Sequence, residues 1–140
     1  MNSPASISVI VPTRNRVQSL KSCLASLVRQ KPGGRAFEVL VIDNGSSDDT
    51  RSATREFEKE HNSIRYFFEP RPGLHEGRHR GMKEATGEVL VFLDDDIEAQ
   101  DGWLAAIGKT FDDPAIALAR SEEHTSELQS PCNLVCRLLL

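Results

Sequence analysis

Cysteine is scarce, with three residues in 140, so a disulfide framework in place of a core is excluded. An excess of basic charge is also missing. Lys and Arg number 17 against 21 Asp and Glu, a formal net charge of −4. That balance provides no cationic field for nucleic acid or an anionic membrane surface. No apolar run approaches the roughly 18–20 residues that span a bilayer. Met1 to Ser6 carries no cationic region and no signal-peptide core. What is present is ordinary for a folded chain: 39 % apolar and 27 % charged residues, a composition that disfavours disorder. The length suits a single domain with a real core. The expectation is a soluble, cytoplasmic, single-domain protein.

Hydrophobic periodicity alternates in kind along the chain. Ile7 to Val11 is a β-branched run ended by Pro12 and reads as a buried strand. From Arg16 to Gln30, Leu20, Cys23, Leu24, Leu27 and Val28 form the stripe of an amphipathic helix. Phe37 to Ile42 is a second strand, interrupted only by Glu38. A helix over about Asp48 to His61 follows, with Ala53, Thr54 and Phe57 inward and acids at its start, where the helix dipole favours them. Ile64 to Phe68 is a third strand. After a Pro- and Gly-containing loop, a helix runs from about Gly77 to Ala85 and stops before Gly87. Val89 to Leu93 is the most hydrophobic strand, Gly102 to Phe111 a fourth helix, and Ala115 to Ala119 the opening of a fifth strand. Alternating strands and helices with continuous apolar strands predict an α/β fold, a mostly parallel sheet covered by helices on both faces. Such sheets place ligands at the carboxyl ends of their strands.

The loops at those ends hold Pro12-Thr13-Arg14-Asn15-Arg16, Asp43-Asn44-Gly45-Ser46-Ser47-Asp48, Arg71 to Arg80, and Asp94-Asp95-Asp96. No G-x-G-x-x-G follows the first strand and no G-x-x-x-x-G-K-[ST] occurs, so dinucleotide and P-loop fingerprints are absent. Gly73, Gly77 and Gly81 make neither. Three aspartates directly after a buried strand repel one another and need a cation or hydrogen-bond donors. Hard oxygen ligands of this kind suit Mg²⁺ or Mn²⁺, held by one or two carboxylates plus substrate phosphates. The alternative is a solvated turn ahead of the Gly102 helix. D-N-G-S is good turn chemistry, with Ser47 or Asp48 as a helix cap. Arg14, Arg16, Arg71, Arg78 and Arg80 are phosphate-capable, and each one alone equally suits solvated surface. His75 and His79 lack the further ligands of a zinc site.

Taken together, I-S-V-I-V-P-T-R-N-R, V-L-V-I-D-N-G-S-S-D-D-T and the stretch R-P-G-L-H to F-L-D-D-D-I resemble the N-terminal half of a family 2 glycosyltransferase with the GT-A fold. The resemblance covers Ile7 to about Ala119, in the family's order and spacing. It implies a nucleotide-diphosphate sugar donor, a divalent cation (Mn²⁺ or Mg²⁺), and transfer of the sugar with inversion to an acceptor hydroxyl. Carried over by position, Pro12, Thr13, Arg14 and Asn15 line the nucleoside pocket. Asp43 and Asn44 sit beside the base, with Arg78 near the nucleotide. Asp95 faces the ribose, and Asp94 and Asp96 form the D-x-D motif, Asp96 being the direct metal ligand. Many relatives carry a second acid where this chain has Asn44. An amide both donates and accepts whereas a carboxylate only accepts, which leaves uridine, thymidine and guanosine donors open. His79 stands where many relatives have Asn.

From Arg120 onward the text changes character, and R-S-E-E-H-T-S-E-L-Q-S-P resembles a translated sequencing adapter. Residues 1–119 are therefore read as the nucleotide-sugar-binding half of a GT-A domain, incomplete at its C-terminal side, and 120–140 as a non-native tail. Cys132, Cys136 and His124 supply three metal ligands at best, too few for a structural zinc site. In the family the acceptor site and the general base lie in the second half. The catalytic base is expected beyond Ala119, and donor binding is the most expected of this chain, without transfer. The acceptor class (glycan, lipid-linked sugar or small molecule) is open, as is peripheral attachment of the parent at the inner membrane face. Two other readings stand beside this one: an inert truncated fragment, and a sugar nucleotidyltransferase. The second lacks its usual glycine-rich basic loop, since P-T-R-N-R has no glycine. A sheet cut after four strands is expected to leave an open edge.

Overall fold

The computed structural model describes residues 6–113, 118–120 and 134–137. Strands β1 (Ile7–Thr13), β2 (Phe37–Asp43), β3 (Ile64–Phe68) and β4 (Val89–Phe92) alternate with helices α1 (Val17–Val28), α2 (Thr50–Glu60), α3 (Leu74–Glu84) and α4 (Trp103–Phe111). Two short strands follow, β5 (Leu118–Arg120) and β6 (Leu134–Arg137). The sheet order is β3-β2-β1-β4-β6-β5. Pairing is parallel from β3 through β4, and antiparallel between β4 and β6 and between β5 and β6. The four parallel strands are those expected from the periodicity.

The period of two along each strand sorts side chains between two cores. Val9, Val11, Val39, Val41, Ile64, Val89 and Val91 face one side, where Leu20, Leu24 and Leu27 of α1 and Trp103, Leu104, Ile107 and Phe111 of α4 cover them. Phe57 of α2 packs against the same cluster. Ile10, Leu40, Ile42, Leu90 and Phe92 face the other side. There α3 lies so close that a Cβ on Gly81 would stand 2.3 Å from Ile10 Cγ2, so that helix position admits only glycine without displacement. Three helices thus cover one face and α3 covers the other.

The differences from expectation have local causes. Helix α3 begins at Leu74, three residues early, because Gly73 at φ 113° turns the chain sharply into it. Helix α2 starts at Thr50, so Asp48 and Asp49 precede its first turn. Of the expected fifth strand, residues 115–117 lie outside the described residues, and β5 begins at Leu118. The open edge expected on β4 is occupied: Leu134–Arg137, within the stretch read as a non-native tail, pairs from Val89↔Arg137 to Phe92↔Leu134. Cys132 and His124 lie outside the described residues.

Candidate functional site

Backbone hydrogen bonds continue past the strand ends, from Asn44 N–H to Thr13 O (2.9 Å), Glu69 N–H to Asp43 O (2.8 Å) and Leu93 N–H to Ile10 O (3.0 Å). These hold the post-strand loops side by side at the carboxyl edge of the sheet. Between them lies a cleft of about 510 Å³ lined by Pro12, Thr13, Arg14, Arg16, Asn44, Gly73, Leu74 and the three aspartates Asp94, Asp95 and Asp96. Of the residues marked from sequence, it brings together Pro12, Thr13, Arg14, Asn44, Asp94, Asp95 and Asp96. Asn15, Asp43 and Arg78 are not among its lining residues.

Asp95 is buried and oriented from β1. Its Oδ2 accepts the Thr13 hydroxyl at 2.8 Å and its Oδ1 accepts Arg16 Nη1 at 3.2 Å. Burial raises its pKa above the ordinary carboxylate value, against the pull of Thr13 and Arg16 and with the Asp96 charge adding to the rise. Arg16 also reaches Asp96 Oδ2, at 3.8 Å. Asp96 is exposed and Asp94 half-buried. Arg14 is exposed at the rim, with no hydrogen-bond or ion-pair partner among the described residues. The site therefore carries two arginines and three aspartates, with Arg16 paired to Asp95 and Asp96. Below it, Cys23 of α1 donates to Asp94 O at 3.9 Å. Its thiol is pushed well up by burial and by the three aspartates, so it is an inert neutral group.

The residues outside the cleft build its frame. Asp43, 2 % exposed, accepts the Tyr66 hydroxyl at 2.6 Å and the Ser46 N–H at 3.0 Å. Burial first, then Asp43 itself, push the Tyr66 hydroxyl far above its usual range, which keeps it a donor. Asn15 takes the left-handed backbone at φ 52°, a conformation asparagine tolerates. Its N–H donates to Ser46 Oγ at 2.9 Å and its Oδ1 accepts the Ser47 N–H at 2.7 Å. Asp48 accepts the first N–H groups of two helices, Val17 at 3.2 Å and Thr50 at 3.0 Å, so one carboxylate caps both. Its pKa is lowered, chiefly by the Thr50 hydroxyl. Arg78 is half-buried on α3.

Sequence reasoning did not mark several contributors. Arg16 was one phosphate-capable residue among five, and its pairing with Asp95 depends on β1 lying beside β4. Gly73 and Leu74 form a wall of the cleft; the signal was a glycine after Pro72 in a post-strand loop. Tyr66 is buried at an inward strand position, where a hydroxyl requires a partner. Gln30, at the end of α1, donates to Gln100 O at 2.9 Å and accepts the Leu104 N–H at 3.1 Å. Ser26 accepts the Ala99 N–H at 2.9 Å. These two buried side chains fix the segment that follows the aspartates.

The donor chemistry at the cleft fits a hard divalent cation. Asp94 and Asp96 are oxygen ligands without hydrogen-bond donors on their carboxylates among the described residues, whereas Asp95 is committed to Thr13 and Arg16. No three His, Cys, Asp or Glu converge on a metal position among the described residues. Such a set matches Mg²⁺ or Mn²⁺ shared with substrate phosphates rather than an all-protein cage. No helix among the described residues is long and apolar enough to cross a membrane.

Comparisons with known proteins agree with this architecture. Glycosyltransferase AglE of Haloferax volcanii is 32% identical over 99 residues, covering 70% of this chain and 33% of that protein. The GalNAc(5)-diNAcBac-PP-undecaprenol beta-1,3-glucosyltransferase of Campylobacter jejuni is 36% identical over 103 residues, covering 72% of this chain and 33% of that protein. The chain thus spans about a third of the length of these curated relatives. The mannosyltransferase PcManGT from Pyrobaculum calidifontis, solved in complex with GDP-Man and Mn²⁺, superimposes with a TM-score of 0.80 at 21% identity. That superposition covers 98% of this chain and 45% of that one, and shows a shared GT-A fold. With the model of Glycosyl transferase family 2 matching residues 8–129, the chain belongs to that family.

Proposed function

We propose that this chain forms the donor side of a glycosyltransferase that moves a sugar from a nucleotide-diphosphate sugar to an acceptor hydroxyl with inversion. The observation that carries the reading is the cleft itself. Residues from the ends of β1, β2 and β4 and from the start of α3 converge there, with two arginines and three aspartates in its lining. A nucleotide diphosphate needs cationic groups for its phosphates and a rigid wall for its nucleoside, and this cleft offers both. Support also comes from the GDP-Man and Mn²⁺ bound by the PcManGT structure that shares the fold.

In this reading Pro12, Thr13 and Asn44 border the nucleoside, and Asp95 faces the ribose while Thr13 and Arg16 hold its carboxylate. Arg14 and Arg16 offset charge on the diphosphate as the anomeric bond breaks. Asn15, Asp43 and Arg78 act from behind the lining. Asp94 and Asp96 would hold Mn²⁺ or Mg²⁺, which when bound supplies Lewis-acid stabilisation of the leaving diphosphate. The base that takes the acceptor proton lies beyond Ala119 in this reading, and the residues before it account for donor binding. Residues 120–140 stand outside the native domain in the same reading, although β6 falls among them.

Titration calorimetry of the folded chain with UDP and with GDP, with and without Mn²⁺, tests this. Nucleotide binding strengthened by Mn²⁺, and loss of that strengthening in Asp96→Ala, are expected. Equal Mn²⁺ dependence in Asp96→Ala would refute the cation assignment. No nucleotide binding by folded wild type would refute the donor reading.

A further inference from the structure

The side chain of Asn44 lines the cleft beside the expected nucleoside position, yet its polar atoms are committed elsewhere. Nδ2 donates to two backbone carbonyls, Glu69 O at 3.1 Å and Arg71 O. Oδ1 accepts the Gly73 N–H at 2.8 Å, and the Asn44 N–H donates to Thr13 O. A carboxamide has two N–H donors and one carbonyl oxygen. Both donors are used, so Asn44 has no N–H left for a base carbonyl, and Oδ1 keeps a single lone pair beside its bond to Gly73. Its partners span residues 69–73, and that loop ends in the Gly73–Leu74 wall of the cleft. Glu69 reinforces the loop by accepting the Arg71 N–H at 2.9 Å and donates its own N–H to Asp43 O; among the described residues the Asn44 side chain is the one that bonds both ends of the loop.

We propose that Asn44 is a positioning residue: its carboxamide fixes the Gly73–Leu74 wall of the nucleotide cleft, and it does not select the nucleobase. This rests on the donor-binding reading above and assigns the residue a role within that same site. The amide is the required chemistry. In Asn44→Asp one oxygen can still accept from Gly73, but the other faces two carbonyl oxygens with no proton between them, and the loop is pushed off. In Asn44→Ala all three ties are lost.

Two measurements on the full chain test the proposal, and they fail separately. The first is hydrogen exchange at the Gly73 amide. Wild type is expected to protect it, and Asn44→Ala to speed its exchange by about tenfold or more. The Gly87 amide, which donates to Ser8 Oγ at the opposite edge, is expected to stay unchanged and so separates local release from general destabilisation. An unprotected Gly73 amide in wild type overturns the proposal without any variant. So does equal Gly73 exchange in folded Asn44→Ala. The second measurement is affinity for UDP, GDP and ADP. Asn44→Ala and Asn44→Asp are expected to weaken all three by a common factor of about tenfold, because a misplaced wall penalises every nucleoside. Loss confined to one base overturns the proposal in favour of direct base reading. If wild type binds no nucleotide, the donor reading falls with the wall's role in nucleotide binding, and the Gly73 result alone decides whether the tie exists.

Discussion

Glu38, half-buried on β2 at the amino edge of the sheet, and Asp95, buried just past the carboxyl end of β4, are both carboxylates, and their surroundings differ in a telling way. At the amino edge Glu38 accepts the Ser8 hydroxyl at 2.7 Å, the Thr86 N–H and hydroxyl at 2.7 and 2.8 Å, and Arg65 Nη1 at 2.8 Å. Burial alone would raise its pKa, but those donors outweigh it and the pKa is lowered. At the carboxyl edge Asp95 has two donors, and burial, with the Asp96 charge added, outweighs them and raises its pKa. The amino edge is electrostatically closed. The carboxyl edge holds carboxyl groups together short of donors, an arrangement that favours incoming positive charge and anionic ligands carrying it. Stability is concentrated at one end of the strands and binding capacity at the other.

Removing each carboxylate sharpens that contrast. The largest effect on stability is expected from Glu38→Ala, about 2–4 kcal/mol, because it leaves several inward donors and Arg65 without their acceptor. Chemical denaturation measures it, and a loss below that of Asp95→Asn would break the contrast. For Asp95→Asn the stability change is expected to stay within about 1 kcal/mol, since the amide oxygen can still accept from Thr13 and the Arg16 partner is solvent-exposed. Nucleotide affinity, in contrast, is expected to fall by about tenfold, read by calorimetry beside Glu38→Gln, which should bind like wild type. A smaller effect concerns pH. Because the Glu38 pKa is lower in the folded state, its stabilisation is present above the ordinary value of 4.5 and lost as pH falls through the folded value. Melting temperature should therefore drop less steeply below that pH in Glu38→Gln than in wild type. Arg16→Gln should cost least in stability, below about 1 kcal/mol, as its side chain is 58% exposed.

The difference between the two edges also explains what could be read from sequence. The four parallel strands, their helices and the loops at the carboxyl edge follow from local periodicity and turn residues, which act over a few positions. Glu38 showed only as an interruption in an apolar strand. Its meaning depends on the Ser8↔Glu38 register and on a loop 48 residues away. The Asp95–Thr13 bond joins residues 82 apart, so no local pattern announces it. Asn44 was legible as a site residue by family resemblance, but its hydrogen bonds to the 69–73 loop were not, because D-N-G-S also satisfies the chemistry of a turn. Family motifs marked which edge carries the site. The division of labour within it, lining against framing, required the strand register.

Strand β1 lies between β2 and β4, and this order constrains how the chain comes together during synthesis. The first strand made acquires one partner once β2 emerges, but its other partner begins only at Val89. Until then the Ile7-to-Thr13 ribbon presents unpaired amides and carbonyls, with β-branched side chains beside them, to any neighbouring chain. Closing that gap joins segments about 80 residues apart, a separation that slows folding in parallel sheets. Nascent chains stalled before Phe92 should therefore be the most prone to self-association, and a ribosome-bound chain would depend on chaperone cover over that interval.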